Sequence, residues 1–208
     1  MSLSGLITDT RTLAEEAEAM VQAYLQTYGV EIAVAEDALD GLRAFTDEAA
    51  LLAAEFYNDL NPSARYSAKV DDDMADEKIV NVAKWVFDGP QSPESRIVAA
   101  ANRLVFDAPR RTILMNARSE GVAVARHEEQ GCCSKCIARA TTMPREHRHR
   151  SEDIDQFFHP KCEGMFVPVR KGVWQPPQYQ REWHDRVESA RLAGLSNPDD
   201  IANWLDGH

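Results

Sequence analysis

The sequence predicts a mainly α fold: an N-terminal helical region over residues 1–120, a small α+β region over 121–175, and a C-terminal helical tail over 176–208. Three observations predict it. Apolar residues recur at helical spacing as far as Arg118, interrupted at turn-forming residues. Two short extended runs then replace that pattern, Val122–Ala125 and Met165–Val169. Between them stand Cys133-x2-Cys136 and His159-x2-Cys162, two pairs of soft metal donors in a segment with few apolar residues of its own.

The first helix is predicted from Thr12 to Tyr28. Thr12 and Glu15 fit a capping box. Leu13, Ala17, Met20, Val21, Tyr24 and Tyr28 fall on one face, and Gly29 supplies the stop. A longer helix is predicted from Asp37 to Leu60, with Leu42, Phe45, Ala49, Leu52, Phe56 and Leu60 as its apolar stripe and Asn61-Pro62 as its end. Residues 61–75, including Asp71-Asp72-Asp73, read as a solvated surface loop. A third helix, Met74 to Phe87, buries Ile79, Val82 and Val86 before Asp88-Gly89-Pro90 breaks it. A fourth opens with Ser92 as N-cap and Pro93 at the first helical position, and lines the core with Ile97, Ala100, Ala101, Leu104 and Val105. Pro109 is expected to interrupt or kink it, helix resuming over Arg110–Arg118 before Gly121. In the tail, Tyr179–Leu192 reads as a helix, and Asn197-Pro198 caps a last one carrying Ile201, Trp204 and Leu205.

With 208 residues, 44% hydrophobic and 27% charged, the chain is long enough for a real core and ordinary in composition for a folded protein. There is no run of eighteen apolar residues, so no membrane span is expected. The first residues, Met1-Ser2-Leu3-Ser4-Gly5-Leu6-Ile7, lack a basic start and a long apolar stretch, which argues against a secretory signal and for intracellular synthesis. The net charge of −11 is uneven: residues 1–60 hold twelve acids against Arg11 and Arg43. Residues 121–150 carry Arg126, Lys135, Arg139, Arg145, Arg148 and Arg150 against Glu128, Glu129 and Glu146. Each charge block reads first as a solvated face. The sharper reading gives Arg139, Arg145, Arg148 and Arg150 contact with nucleic acid, although overall acidity argues against DNA binding as the main role.

All four cysteines lie between Cys132 and Cys162. A disulfide framework spreads cysteines through a fold, whereas a clustered set in a cytosolic chain reads as metal binding. Cys133, Cys136, His159 and Cys162 give four N/S donors and no oxygen donor, the set of a closed structural zinc site. Cys132 competes with Cys133 for one corner, in a C-x3-C pair, and His147 and His149 compete with His159. Zinc would supply the constraint that this loop-rich segment lacks.

No phosphate-cradling glycine loop and no G-x-S-x-G elbow occur. His127-Glu128-Glu129 has no second histidine at H-E-x-x-H spacing. A dispersed protease triad leaves no local signature, and the run from His147 to His159 lacks a metal-binding acid or asparagine at the spacing of a zinc-supported nuclease. No catalytic residue is assigned.

Several segments, in order, resemble the MuF-like minor head proteins of tailed bacteriophages, particularly those of actinobacterial hosts. Ala49–Leu60 is similar to an alanine-rich helix of that family ending in aromatic-Tyr, acid and Leu. Arg103–Asp107 and Arg111–Ala117 are similar to its second helical signature, and Gly131–Cys136 with Phe158–Cys162 to its zinc-like motif. The likeness covers roughly residues 10–170. Lys161 stands where the family often has histidine, and Glu163-Gly164 where another cysteine often follows. Arg139-Ala140-Thr141-Thr142 replaces the usual small glycine-containing turn. The resemblance implies a non-enzymatic virion component in the head interior or at the portal vertex, assembled in the host cytoplasm. Its partners would be the portal protein or the major capsid protein, with packaged DNA as a further contact and no membrane, and its task head assembly or DNA delivery. The alternatives are a capsid maturation protease and a zinc-supported DNA-binding protein or nuclease.

Overall fold

The structure, a computed structural model, describes residues 1–60, 66–71, 76–88, 90–140, 158, 162–170 and 175–207. The chain divides into two compact units, Met1–Thr112 and Ile113–His208.

The first unit is helical. It contains α1 (Leu3–Tyr28), α2 (Ile32–Asp40), α3 (Arg43–Asp59), α4 (Asp76–Phe87) and the N-terminal part of α5 (Pro93–Glu120). α1 packs on α2 and α3, and α2 packs on α4. α1 begins nine residues earlier than the sequence predicts, because Ser2 caps it, its Oγ accepting from the Gly5 N–H at 3.0 Å. Thr12 lies inside the helix instead and donates its hydroxyl to the Thr8 carbonyl at 3.2 Å. Leu6, Ile7, Leu13, Ala14, Ala17, Val21 and Leu25 form the buried stripe, while Tyr28 at its end is 62% exposed.

The predicted helix over Asp37–Leu60 is two helices. Gly41 and Leu42 separate α2 from α3, and Arg43 pairs with Asp40 across the turn at 2.6 Å. Glycine is among the weakest helix formers, and a strand of continuous periodicity through Leu42 hides the break. In α3 the buried face adds Ala50, Ala53, Ala54 and Tyr57 to the predicted Ala49 and Phe56. The four alanines leave room for a neighbouring helix to approach closely. α4 buries Ile79, Ala83 and Val86.

α5 opens as the sequence predicts, with the Ser95 N–H donating to Ser92 Oγ at 3.3 Å. Ile97, Ala100, Ala101, Leu104 and Val105 are all buried. Pro109 does not interrupt it: helix runs unbroken from Pro93 to Glu120. Every residue from Leu104 to Leu114 is buried, so tertiary packing offsets the hydrogen bond that proline cannot donate. Charged groups share this buried stretch. Asp107 accepts from Arg110 Nη1 at 3.0 Å and lies 3.6 Å from Arg103 Nε. Arg111 Nε reaches Asp71 at 3.2 Å, so Asp71 is a tie to α5 rather than a solvated loop acid; Asp72 and Asp73 lie outside the described residues.

The second unit holds β1 (Ala123–His127), α6 (Ser134–Arg139), β2 (Met165–Val169), α7 (Gln178–Leu192) and α8 (Pro198–Gly207). Gly121, at φ +77°, turns the chain out of α5. β1 and β2 pair antiparallel, with Ala123 opposite Val169, Ala125 opposite Val167 and His127 opposite Met165. A two-stranded ribbon is marginal alone. Here both strands are buried along most of their length. α6, α7 and α8 pack on one another around Ala138, Val187, Ala190, Ile201, Ala202 and Leu205. Asn197 caps α8, its Oδ1 accepting from the Asp199 N–H at 2.9 Å. Gln180 ties α7 to the ribbon, its Nε2 donating to the Arg126 carbonyl at 2.7 Å.

Candidate metal centre

The site lies where the end of β1, the start of α6 and the approach to β2 meet. Alternation along an extended chain puts residues two apart on one side, so Arg126 and Glu128 project together. Gly131, at φ +95°, reverses the chain, and the Cys132 N–H donates to the Glu129 carbonyl at 3.2 Å. Cys133 is the N-cap of α6 and Cys136 lies in its first turn, three residues apart and on one helix face. Cys162 comes three residues before β2.

The two buried thiols, Cys136 and Cys162, have their sulfurs 3.4 Å apart. Cys162 Sγ lies 3.6 Å from Glu128 Oε1 and 3.7 Å from Oε2. These three side chains form a compact donor group, all buried. A tetrahedral zinc with sulfur at about 2.3 Å and oxygen at about 2.0 Å separates two sulfurs by roughly 3.8 Å and a sulfur from an oxygen by roughly 3.5 Å, so the Cys162–Glu128 spacing matches such an ion and the 3.4 Å between Cys136 and Cys162 is a few tenths of an ångström short of it. Cys133 is exposed and lines the same cavity of about 300 Å³, with Cys132, Cys136 and Cys162.

Arg126 backs the group. It is 1% exposed and pairs with Glu128 Oε1 through both Nε and Nη2. Its Nη2 also donates to Cys162 Sγ at 3.4 Å, and its guanidinium stacks over the Phe158 ring, 4.4 Å from the centroid. Phe158 in turn meets Phe166 of β2 edge-on at 5.1 Å. Burial works against the charged guanidinium, yet Glu128, then Cys162 and Cys136, hold its pKa above the ordinary arginine value. The Cys136 thiol is pushed well above the usual cysteine range, first by its hydrogen bond with Cys132, with burial and the Glu128 charge adding to that and Cys162 and Arg126 opposing it. Burial pushes His127 below its ordinary value, against the pull of Glu128 and Glu129. Tyr179 on α7 closes one side, its hydroxyl donating to the Glu128 carbonyl at 3.1 Å. Gly164 is there for space: a Cβ at that position would collide with the Glu128 carboxylate.

Of the predicted ligands, Cys136 and Cys162 come together and Cys133 borders the same cavity, while His159 lies outside the described residues, as do His147, His149 and Lys161. Cys132, the competing thiol, is half-buried and hydrogen-bonded to Cys136. Of the basic residues, Arg139 faces Asp199 of α8 at 3.5 Å, and Arg145, Arg148 and Arg150 lie outside the described residues. Glu128 and Arg126 are the participants that the sequence reading missed. The signal was the Arg-x-Glu alternation, invisible once the strand was ended at Ala125 instead of His127.

Among the described residues, no helix is long and apolar enough to cross a membrane. Comparison with curated proteins and with solved structures gives no match. One family model, described as VG15 protein, matches residues 2–190, which covers the first unit nearly whole, the second as far as α7, and the residues of the candidate metal centre. The chain therefore belongs to the VG15 protein family, a family of viral or phage gene proteins.

Proposed function

We propose that the protein is a structural minor capsid protein of a tailed phage, bound to the portal or to the inner capsid surface and serving head morphogenesis or DNA delivery. The family match over residues 2–190 is the observation that carries this reading, because it covers nearly the whole chain and a viral or phage gene family supports a virion component. The ordered MuF-like segments give it direction. Two of them have structural weight here: Arg103 and Asp107 of the second signature pair within α5, and Arg111 pairs with Asp71 outside it.

In this reading zinc is a fastener, held by Cys133, Cys136, His159 and Cys162. The 3.4 Å sulfur separation of Cys136 and Cys162 supports two of these corners, and Cys133 at the cavity edge supports a third. When bound, zinc supplies Lewis-acid binding of thiolates and hence cross-linking of α6 to the approach of β2. Elemental analysis of purified protein is expected to give about one zinc per chain. A content near zero, with stability indifferent to chelator, removes the metal from the reading.

The acidic first sixty residues would face a protein partner, and the basic segment from Arg139 to Arg150 the packaged DNA. Alanine at Arg145, Arg148 and Arg150 should weaken DNA retention and flatten its salt dependence. Localising the chain in assembled particles tests the role itself. Density at the portal vertex or on the inner capsid wall is expected. Co-expression with the major capsid protein supplies the contrary outcome: cleavage abolished by a single Ser, His or Asp substitution would replace the structural role with that of a maturation protease.

A further inference from the structure

Arg126 is a buried cation that touches, among other groups, Glu128, Cys162 and Phe158, and Glu128 suffices to neutralise it. Glu128 alone balances its charge. The guanidinium nevertheless extends to Cys162 Sγ at 3.4 Å and sits over the Phe158 ring, 4.4 Å from its centroid. This arrangement places a carboxylate and a metal-ligand sulfur side by side, 3.6 Å apart, in a buried site. Two anions at that distance repel strongly where water is excluded. A planar cation with several N–H groups can donate to both at once, whereas the compact ammonium of lysine has no such fork. The ring and Glu128 hold the guanidinium from two sides, with Nη2 in hydrogen-bonding reach of the sulfur.

We propose that Arg126 is a positioning residue for the metal centre: it donates an N–H from Nη2 to the Cys162 thiolate and offsets that sulfur's charge, while Glu128 and Phe158 hold it in place. The proposal rests on the zinc reading above. It assigns Glu128 to the support of Arg126 and not to the ion. Outer partners of this kind commonly alter metal affinity by about 10–100-fold. A sulfur that accepts such a hydrogen bond is also a weaker nucleophile, because the shared lone pair is less available to an electrophile.

The test uses the full chain and zinc alone, with cobalt(II) as the spectroscopic substitute. R126K and R126M are each expected to bind zinc about 10–100-fold more weakly in competition with a chromophoric chelator. Both should retain one metal per chain and the wild-type cobalt donor spectrum. Iodoacetamide should alkylate Cys162 of the zinc-loaded variants faster than that of the wild type while Cys136 keeps its wild-type rate, a contrast that general loosening of the buried site would not produce. R126K keeps the charge and the bulk, so it reports even if R126M fails to fold. E128Q should lower affinity with the cobalt spectrum unchanged. Unaltered affinity and alkylation rate in R126K would overturn the proposal. So would a changed cobalt spectrum in E128Q, which would make Glu128 a ligand. A wild-type protein that takes up no zinc fails at the earlier step, and the role of Arg126 falls with it.

Discussion

Gly164 and Asp107 show how single side chains are held to narrow tolerances in this protein. A methyl group at Gly164 would occupy the place of the Glu128 carboxylate, which is itself pinned by Arg126. G164A is therefore expected to lose about 1–3 kcal/mol in urea denaturation, the range for overpacking a filled site, and to loosen zinc binding as well. Asp107 is the acid between Arg110 and Arg103 on buried α5. D107A leaves Arg110, 1% exposed, without its nearest counter-charge, and about 3–5 kcal/mol of destabilisation is expected. The double variant D107N/R110M should recover a large part of that loss, which denaturation of all three proteins would measure. At this scale the candidate site was half legible. Cys136 and Cys162 announce themselves by spacing, since sulfur donors in short repeats have few other reasons to recur. Arg126 and Glu128 did not, because charged residues near a strand end look solvated until the fold shows what covers them.

The elements were most legible where a local hydrogen bond fixes the boundary. Ser92-Pro93 opens α5 and Asn197-Pro198 opens α8, each by an interaction within four residues. They were least legible where packing decides. The turn at Gly41-Leu42 divides what periodicity reads as one helix, and the burial of Leu104–Leu114 carries α5 through Pro109. α6, six residues long, is too short to show periodicity at all. It is held by its neighbours, chiefly Ile201, Ala202 and Leu205 of α8 and Val187 and Ala190 of α7. L205A should accordingly cost about 2–4 kcal/mol, as truncation of a buried leucine does. N197A should cost about 1 kcal/mol through the lost cap. Thermal melts of the two variants separate packing from capping. The Arg139–Asp199 pair at 3.5 Å is solvent-exposed on the Asp199 side and is expected to add under 1 kcal/mol.

For the molecule as a whole, the two units differ in what holds them. Met1–Thr112 has long helices with continuous apolar stripes and can be stabilised by burial. Among the described residues, Ile113–His208 combines the end of α5, a two-stranded ribbon, a six-residue helix and a pair of tail helices, with fewer buried apolar residues than the first unit. Hydrogen exchange should register this contrast. Removing zinc with a chelator is expected to speed exchange in residues 123–139 and 162–170, while the amides of α1 and α3 keep their protection. Zinc uptake should release protons, since Cys136 is held as a thiol in the metal-free protein, and affinity should fall as pH is lowered.

The family match ends at residue 190, yet the packing around α6 does not. Ile201, Ala202 and Leu205 lie beyond the matched span and press on the helix that carries Cys136. A recombinant fragment cut at the family boundary would keep every predicted metal ligand and still lose the brace behind one of them. Such a fragment should express with a full donor set and bind zinc poorly, and supplying α8 as a separate peptide should restore part of the affinity.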